Sequence, residues 1–183
     1  MSPIRMADPD LADPAAVERL TEDQLDIKGL PREVTEQDQW IYDQVTTETT
    51  GHAESVEVVY DPSRITYGQL LRIFFSVAHD PTEYNRQGPD VGPSYRSAIF
   101  YANEDQKRLA QAYIAQLDQQ KIFPKKIVTE VTTLKGFYRA EDYHQDYAYH
   151  NPDNPYIQVC DRPKIAALQQ QFPELFVEYK PKK

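Results

Sequence analysis

At 183 residues, 40% of them hydrophobic, the chain is long enough for one domain with its own core, and one soluble domain is the default reading. Twenty Lys and Arg against twenty-nine Asp and Glu leave a net charge of −9, which opposes non-specific binding to phosphate backbones or anionic lipid. No apolar run reaches the ~20 residues of a membrane helix, and MSPIRMADPD lacks the apolar core of a signal peptide, so the cytosol is the expected compartment. A single cysteine, Cys160, rules out an intrachain disulfide and any multi-cysteine zinc pattern.

Residues 1–40 are rich in Asp, Glu and Pro and hold no strand candidate. Asp13-Pro14 and Thr21-x-x-Gln24 offer helix starts, so short helices over flexible linker are expected there. From Trp40 the pattern changes. Residues 55–60, SVEVVY, alternate as a strand, which puts Glu54 at the head of an apolar row with Val56, Val58 and Tyr60. A carboxylate in a covered row needs a partner or keeps its proton.

Ile65-Thr66-x-x-Gln69-Leu70 has the form of a capping box with a hydrophobic staple, and it opens a helix through YGQLLRIFFSVAH that ends before Pro81. The wide apolar face of that helix (Leu70, Leu71, Phe74, Phe75, Val77) predicts packing flat on a sheet. After a polar loop, TEYNRQGPDVGPSY, come a strand at 96–101, a helix capped by Asn103 and Gln106 and running to about Gln120, and a third strand, KIVTEVTTL. AEDYHQDYAYH reads as another helix, and PYIQVC with the helix PKIAALQQQF closes the chain. Strands alternating with helices predict an α/β or α+β sheet covered by helices.

Several groups could carry chemistry. His52-Ala53-Glu54 has the H-x-E form of zinc deaminases, but one cysteine cannot complete their metal site. Some of His52, His79, His144 and His150 could hold a metal together with carboxylates, but only His144 and His150 are close in sequence and their spacing of six suits neither a helix face nor a tight turn. The favoured reading puts His79 at a helix C-terminus, His144 on a helix face and the others in solvent. In NRQGPDVGPSYRS, Gly88, Pro89, Gly92 and Pro93 fix an irregular backbone that offers Asp90 and Tyr95, although a structural turn with a core tyrosine explains the loop as well. A lone cysteine is more often a small buried hydrophobe than a nucleophile; Arg162, Lys164 and the start of the last helix are the features that could activate Cys160.

Taken in order, YDQVTTETTGHAESVEVVYDP, HDPTEYNRQGPDVGPSYRSAIFY, FYRAEDYHQDY and NPDNPYIQVCDRPKIAALQQQFPELF resemble the A-type peptide methionine sulfoxide reductases over residues 41–176. The resemblance implies an α+β, ferredoxin-like mixed sheet with covering helices between the leader (1–40) and a basic tail (177–183). It implies thiol-dependent reduction of methionine (S)-sulfoxide, free or in peptides: a cysteine attacks sulfur, oxygen leaves with a proton, and the resulting sulfenic acid is reduced by other thiols, ultimately thioredoxin. No bound cofactor is implied, and a monomer is expected. By the same resemblance Glu54 stands where the family keeps its proton donor, Tyr42 and Tyr95 match the tyrosines that hydrogen-bond the sulfoxide oxygen, and Asp90 matches the aspartate beside them. An apolar setting is expected to hold a proton on Glu54 near neutrality.

The family's glycine-cysteine-phenylalanine-tryptophan-glycine motif, which carries the nucleophile, does not occur in the sequence, and Trp40 has no cysteine beside it. The family's first strand-helix unit is therefore expected to be missing and the chain to be an impaired reductase, with Cys160 as the candidate thiol. The alternative is a pseudoenzyme that binds oxidised methionine or a protein partner.

Overall fold

The computed structural model describes Thr47 and residues 51–178. Residues 52–137 form one compact unit, and residues 138–178 belong to a second.

The first unit opens with helix α1 (Tyr67–Ile73), which continues as a π-helical turn over Phe74–Ala78. Its start is the capping box expected from sequence: the Gln69 N–H donates to Thr66 Oγ1 (3.2 Å) while the Thr66 N–H donates to Gln69 Oε1 (2.8 Å), so two backbone donors of the first turn are satisfied reciprocally. Strands β1 (Arg86–Gln87) and β2 (Asp90–Val91) form a small antiparallel hairpin. A 3-10 turn (Pro93–Tyr95) leads into β3 (Ala98–Tyr101), followed by α2 (Glu104–Gln119) and β4 (Glu130–Thr133). Strands β3 and β4 are parallel, pairing Ala98 with Glu130 through Tyr101 with Thr133, so β3-α2-β4 is a parallel pair joined by a helical crossover.

Helix spacing builds the core. Leu71 and Phe75 of α1, one turn apart, and Ala110, Tyr113 and Leu117 of α2, at i, i+3 and i+7, pack together with Ile127. Ile99 and Val131 close this cluster from the strands, and Ala110 is fully buried. Asn103 caps α2 by accepting from the Gln106 N–H (2.9 Å), as its sequence predicts. At the other end Lys121 takes the left-handed conformation (φ +54) and donates to Asp118 O, while the Ile122 N–H donates to Leu117 O, a Schellman ending with lysine where glycine is usual.

In the second unit a 3-10 turn (Asp142–His144), α3 (Tyr147–His150), a π-helical turn (Ile157–Asp161) and α4 (Arg162–Gln171) follow one another, with Ile157 and Phe172 buried. The α+β class expected from the sequence is the one found.

Two local expectations are corrected. Residues 55–60 join no ladder with any described strand, and Val56 and Val59 are 87% and 78% exposed. Glu54 is exposed as well, so among the described residues it does not head a covered apolar row. Alternation marks a strand but does not supply the neighbour that buries one of its faces. AEDYHQDYAYH is likewise not one helix: Gln145 is extended (ψ 137) and Asp146 left-handed (φ +54), which separates the 3-10 turn from α3. Tyr, His and Asp are weak helix formers, and Asp tolerates the left-handed region. The readings made of residues 1–40 and of Tyr42 lie outside the described residues.

Candidate active site

Asp90 and Tyr95 sit on the loop between α1 and β3, which is far more tightly bonded than its polar composition suggests. The side-chain amide of Gln87 brackets the Asp80 backbone, accepting from its N–H (3.1 Å) and donating to its carbonyl (2.9 Å). Asp80 Oδ1 accepts from the N–H (2.8 Å) and hydroxyl (2.7 Å) of Thr82, turning the chain at the buried Pro81. The hairpin connection is Gly88-Pro89, with Gly88 at φ +57, a value that favours glycine at the first position of a two-residue turn. Glu83 accepts from the Gly88 N–H (2.8 Å), and Arg86 Nε donates to Gly88 O (2.7 Å). Each turn donor thus meets an acceptor, and Asp90, half-buried at the start of β2, is held by the ladder opposite Gln87.

Beyond β2, Gly92 is buried at φ +150 and donates to Asn85 O (2.9 Å). The Tyr95 N–H closes the 3-10 turn on Gly92 O (3.0 Å), leaving Tyr95 half-buried at its end. Glu54 arrives from a distant part of the chain: its N–H donates to the carbonyl of the buried Ser94 (2.9 Å), next to Tyr95. The backbone of Glu54 is therefore held beside Ser94, at the end of the loop that carries Asp90 and Tyr95. Glu54 is attached there by its backbone, with its side chain at the surface.

Residues that the sequence did not single out supply the foundation. Ser97, 4% exposed, lies between His79 and Thr129, with Nε2–Oγ and Oγ–Oγ1 distances of 2.6 and 2.7 Å. A carbonyl only accepts, so the contact from His79 Nδ1 to Phe74 O (3.2 Å) places a hydrogen on Nδ1. In the neutral ring Nε2 then accepts from the Ser97 hydroxyl, which accepts from Thr129; in the imidazolium Nε2 donates to Ser97, which donates to Thr129. The His79 ring also lies 4.1 Å from Phe74, centroid to centroid. This network anchors the backbone two residues after Tyr95 to α1 and to the approach of β4. The one sequence cue was the position of His79 at a helix end, where it does stand.

Arg96 is the second foundation. Its Nη1 donates to His52 O (3.0 Å) and Pro93 O (2.8 Å), and its Nε donates to Glu130 Oε2 (3.2 Å). His52 is half-buried, not solvated as its sequence setting suggested.

Cys160 belongs to the second unit, where it is half-buried in the π-helical turn before α4. Lys164, one of its prospective activators, lies 3.6 Å from the Asp161 carboxylate. His144 Nε2 stands 3.7 Å from Glu141 Oε2, and His150 is exposed. Among the described residues no three His, Cys, Asp or Glu side chains gather closely enough to hold a metal ion, and no helix is long and apolar enough to cross a membrane.

The architecture is thus an α+β domain with a hydrogen-bonded polar loop at the entry to its parallel strand pair. The family model described as peptide methionine sulfoxide reductase matches residues 34–175. The chain is 53% identical over 157 residues to peptide methionine sulfoxide reductase MsrA 2 of Mesorhizobium japonicum, covering 83% of this chain and 80% of that protein. It is also 53% identical over 131 residues to MsrA 2 of Synechocystis sp., covering 72% of this chain and 61% of that protein. Among solved structures, Mxr1 from Saccharomyces cerevisiae in reduced form superposes with a TM-score of 0.56 at 38% identity, over 61% of this chain and 60% of that one. Methionine sulfoxide reductase A of Corynebacterium diphtheriae gives 0.51 at 36%, over 61% and 57%. The chain spans less than two thirds of the length of either crystallised relative. It belongs to the A-type peptide methionine sulfoxide reductase family.

Proposed function

We propose that the chain recognises methionine (S)-sulfoxide, free or in oxidised proteins, through the cluster of Glu54, Asp90 and Tyr95, with Tyr42 as a fourth member, and serves its thiol-dependent reduction. The observation that carries this reading is the backbone bond from Glu54 to Ser94, which brings an acid to the turn that ends in Tyr95. A sulfoxide oxygen gains negative charge as its bond to sulfur breaks, and a carboxylic acid beside a phenol supplies a proton and a hydrogen bond where that charge develops. Asp90 would orient these donors.

Reduction further requires a thiol that attacks sulfur, leaving a sulfenic acid for a second thiol, with thioredoxin as the physiological class of reductant. Cys160 is the thiol this sequence offers. The second reading, a module that binds oxidised methionine without reducing it, is favoured by the sequence's single cysteine lying outside any glycine-cysteine-phenylalanine-tryptophan-glycine motif. The chain is read as a cytosolic monomer with its reductase-like domain between the acidic leader and the basic tail.

Turnover of a methionine (S)-sulfoxide peptide by the purified chain with dithiothreitol, compared with Cys160→Ala, tests the two readings. Turnover abolished in the variant assigns the nucleophile to Cys160. Saturable binding without turnover supports the recognition module, and neither binding nor turnover at millimolar peptide overturns the proposal.

A further inference from the structure

The side chain of Arg96 is 16% exposed and meets acceptors on three separate segments. The carbonyl of His52 lies two residues before Glu54, that of Pro93 lies two residues before Tyr95, and the carboxylate of Glu130 lies at the start of β4. The first two segments are the ones joined by the Glu54–Ser94 bond. Glu130 is also tied through its backbone, its N–H donating to Ser97 O (2.9 Å), so the anchor of the guanidinium is rooted in the parallel strand pair.

We infer that Arg96 is a positioning residue: by bridging the His52 and Pro93 carbonyls from an anchor on β4, it sets Glu54 against the Tyr95 turn and so fixes the spacing of the groups that receive the sulfoxide oxygen. The inference rests on the sulfoxide reading of that cluster. Residues 52–60 join no described strand, so among the described residues no ladder fixes their register, and a side chain that grips both segments contributes to fixing it. Arginine suits the task because its planar fork directs several N–H groups at fixed angles. A lysine ammonium is a compact charge on a flexible stem and would grip one acceptor at a time. Glu130 is half-exposed, and a pair of that kind adds little attraction; its part is to aim the guanidinium.

The test uses the full chain with Arg96→Lys, Glu130→Gln and Glu130→Ala, and two readouts. The first is NMR amide exchange of Glu54, compared with Val128 (bonded to Pro81 O) and Leu134 (bonded to Tyr101 O). The second is titration with a methionine (S)-sulfoxide peptide. In Arg96→Lys the Glu54 amide is expected to exchange at least ~10-fold faster while Val128 and Leu134 stay within about twofold, and peptide affinity is expected to fall about 10-fold. Glu130→Gln keeps an acceptor and should remain within about threefold of wild type in both readouts, whereas Glu130→Ala should lose about threefold to tenfold. If Arg96→Lys does not fold, the contrast between the two Glu130 variants decides: equal behaviour overturns the inference. Unchanged Glu54 exchange in a folded Arg96→Lys, or parallel loss at Glu54, Val128 and Leu134, also overturns it, the latter by showing a general structural role. A wild-type chain that binds no peptide refutes the sulfoxide reading itself. That result is distinct from wild type and Arg96→Lys binding equally, which refutes the assignment to Arg96.

Discussion

Replacing Ser97 by alanine removes one oxygen that serves both His79 Nε2 at 2.6 Å and Thr129 Oγ1 at 2.7 Å, in a residue only 4% exposed. A net hydrogen bond is worth ~1 kcal/mol, and a polar group left inside without its partner costs ~1–3 kcal/mol. Thr129 and His79 are half-buried, so water recovers part of the loss, and the expected destabilisation is about 2–4 kcal/mol. For a chain of this length that corresponds to a fall in Tm of about 5–15 °C. The backbone bond from Glu130 to Ser97 O does not depend on the side chain, so the β3–β4 ladder is retained. Far-UV circular dichroism should accordingly be unchanged before the transition. Thr129→Val is the companion variant: if the hydroxyls act as one chain, the double substitution costs about 1–2 kcal/mol less than the sum of the single ones. A loss below ~0.5 kcal/mol in Ser97→Ala, or strict additivity in the double variant, would refute the reasoning that a buried hydroxyl chain anchors the Tyr95 turn.

Lys121→Gly removes a side chain from a left-handed position at the end of α2 and keeps both Schellman bonds, so it should raise stability by about 0.5–1 kcal/mol in urea titration, after part of the gain is offset by the freer unfolded chain. Alkaline pH should weaken the fold. Burial, with a smaller contribution from Tyr60, pushes the Tyr67 hydroxyl up to about 12, while in the unfolded chain it ionises near the usual tyrosine value of 10.0. Unfolding therefore releases protons in this range: the stability is fully present below pH 10 and is lost as pH rises towards 12, by about 2 kcal/mol. Burial raises Tyr60 and Tyr113 in the same direction. Urea midpoints at pH 9 and 11 measure the slope, and Tyr67→Phe should flatten it; an equal slope in that variant would show that other groups carry the effect.

Features written within a few residues were legible in the sequence. The box at Thr66 and Gln69, the Asn103 cap and the apolar spacing of Leu71 and Phe75 depend on neighbours one or two turns away, and each formed as expected. The juxtaposition of Glu54 with the Tyr95 loop was reached through resemblance, not periodicity. What the sequence hid lies in contacts between distant positions. Ser97 is 18 residues from His79 and 32 from Thr129, and Arg96 is 44 from His52. Nothing in the spacing of a serine or an arginine announces such partners. The break at Asp146 has a different cause: tyrosine, histidine and aspartate are weak helix formers, and aspartate tolerates the left-handed conformation found there.

The same distinction decides what kind of site this is. A dry Glu54 requires a covered row of Val56, Val58 and Tyr60, and among the described residues that row stands largely open. What the fold provides is placement: a backbone bond from Glu54 to Ser94, a guanidinium across both segments, and a buried hydroxyl chain under the turn. On the proposed reading, groups fixed in this way need not reorganise as charge develops on a departing oxygen, and preorganisation is the larger part of such stabilisation. Water exclusion then falls to whatever covers Glu54 when the site is occupied, and a sulfoxide-bearing peptide, apolar around its sulfur, has the chemistry to do so. In the proposed reaction the weight thus falls on the rigidity of the loop that meets Glu54 rather than on burial of the acid, and substitutions beneath the loop should matter as much as substitutions on it.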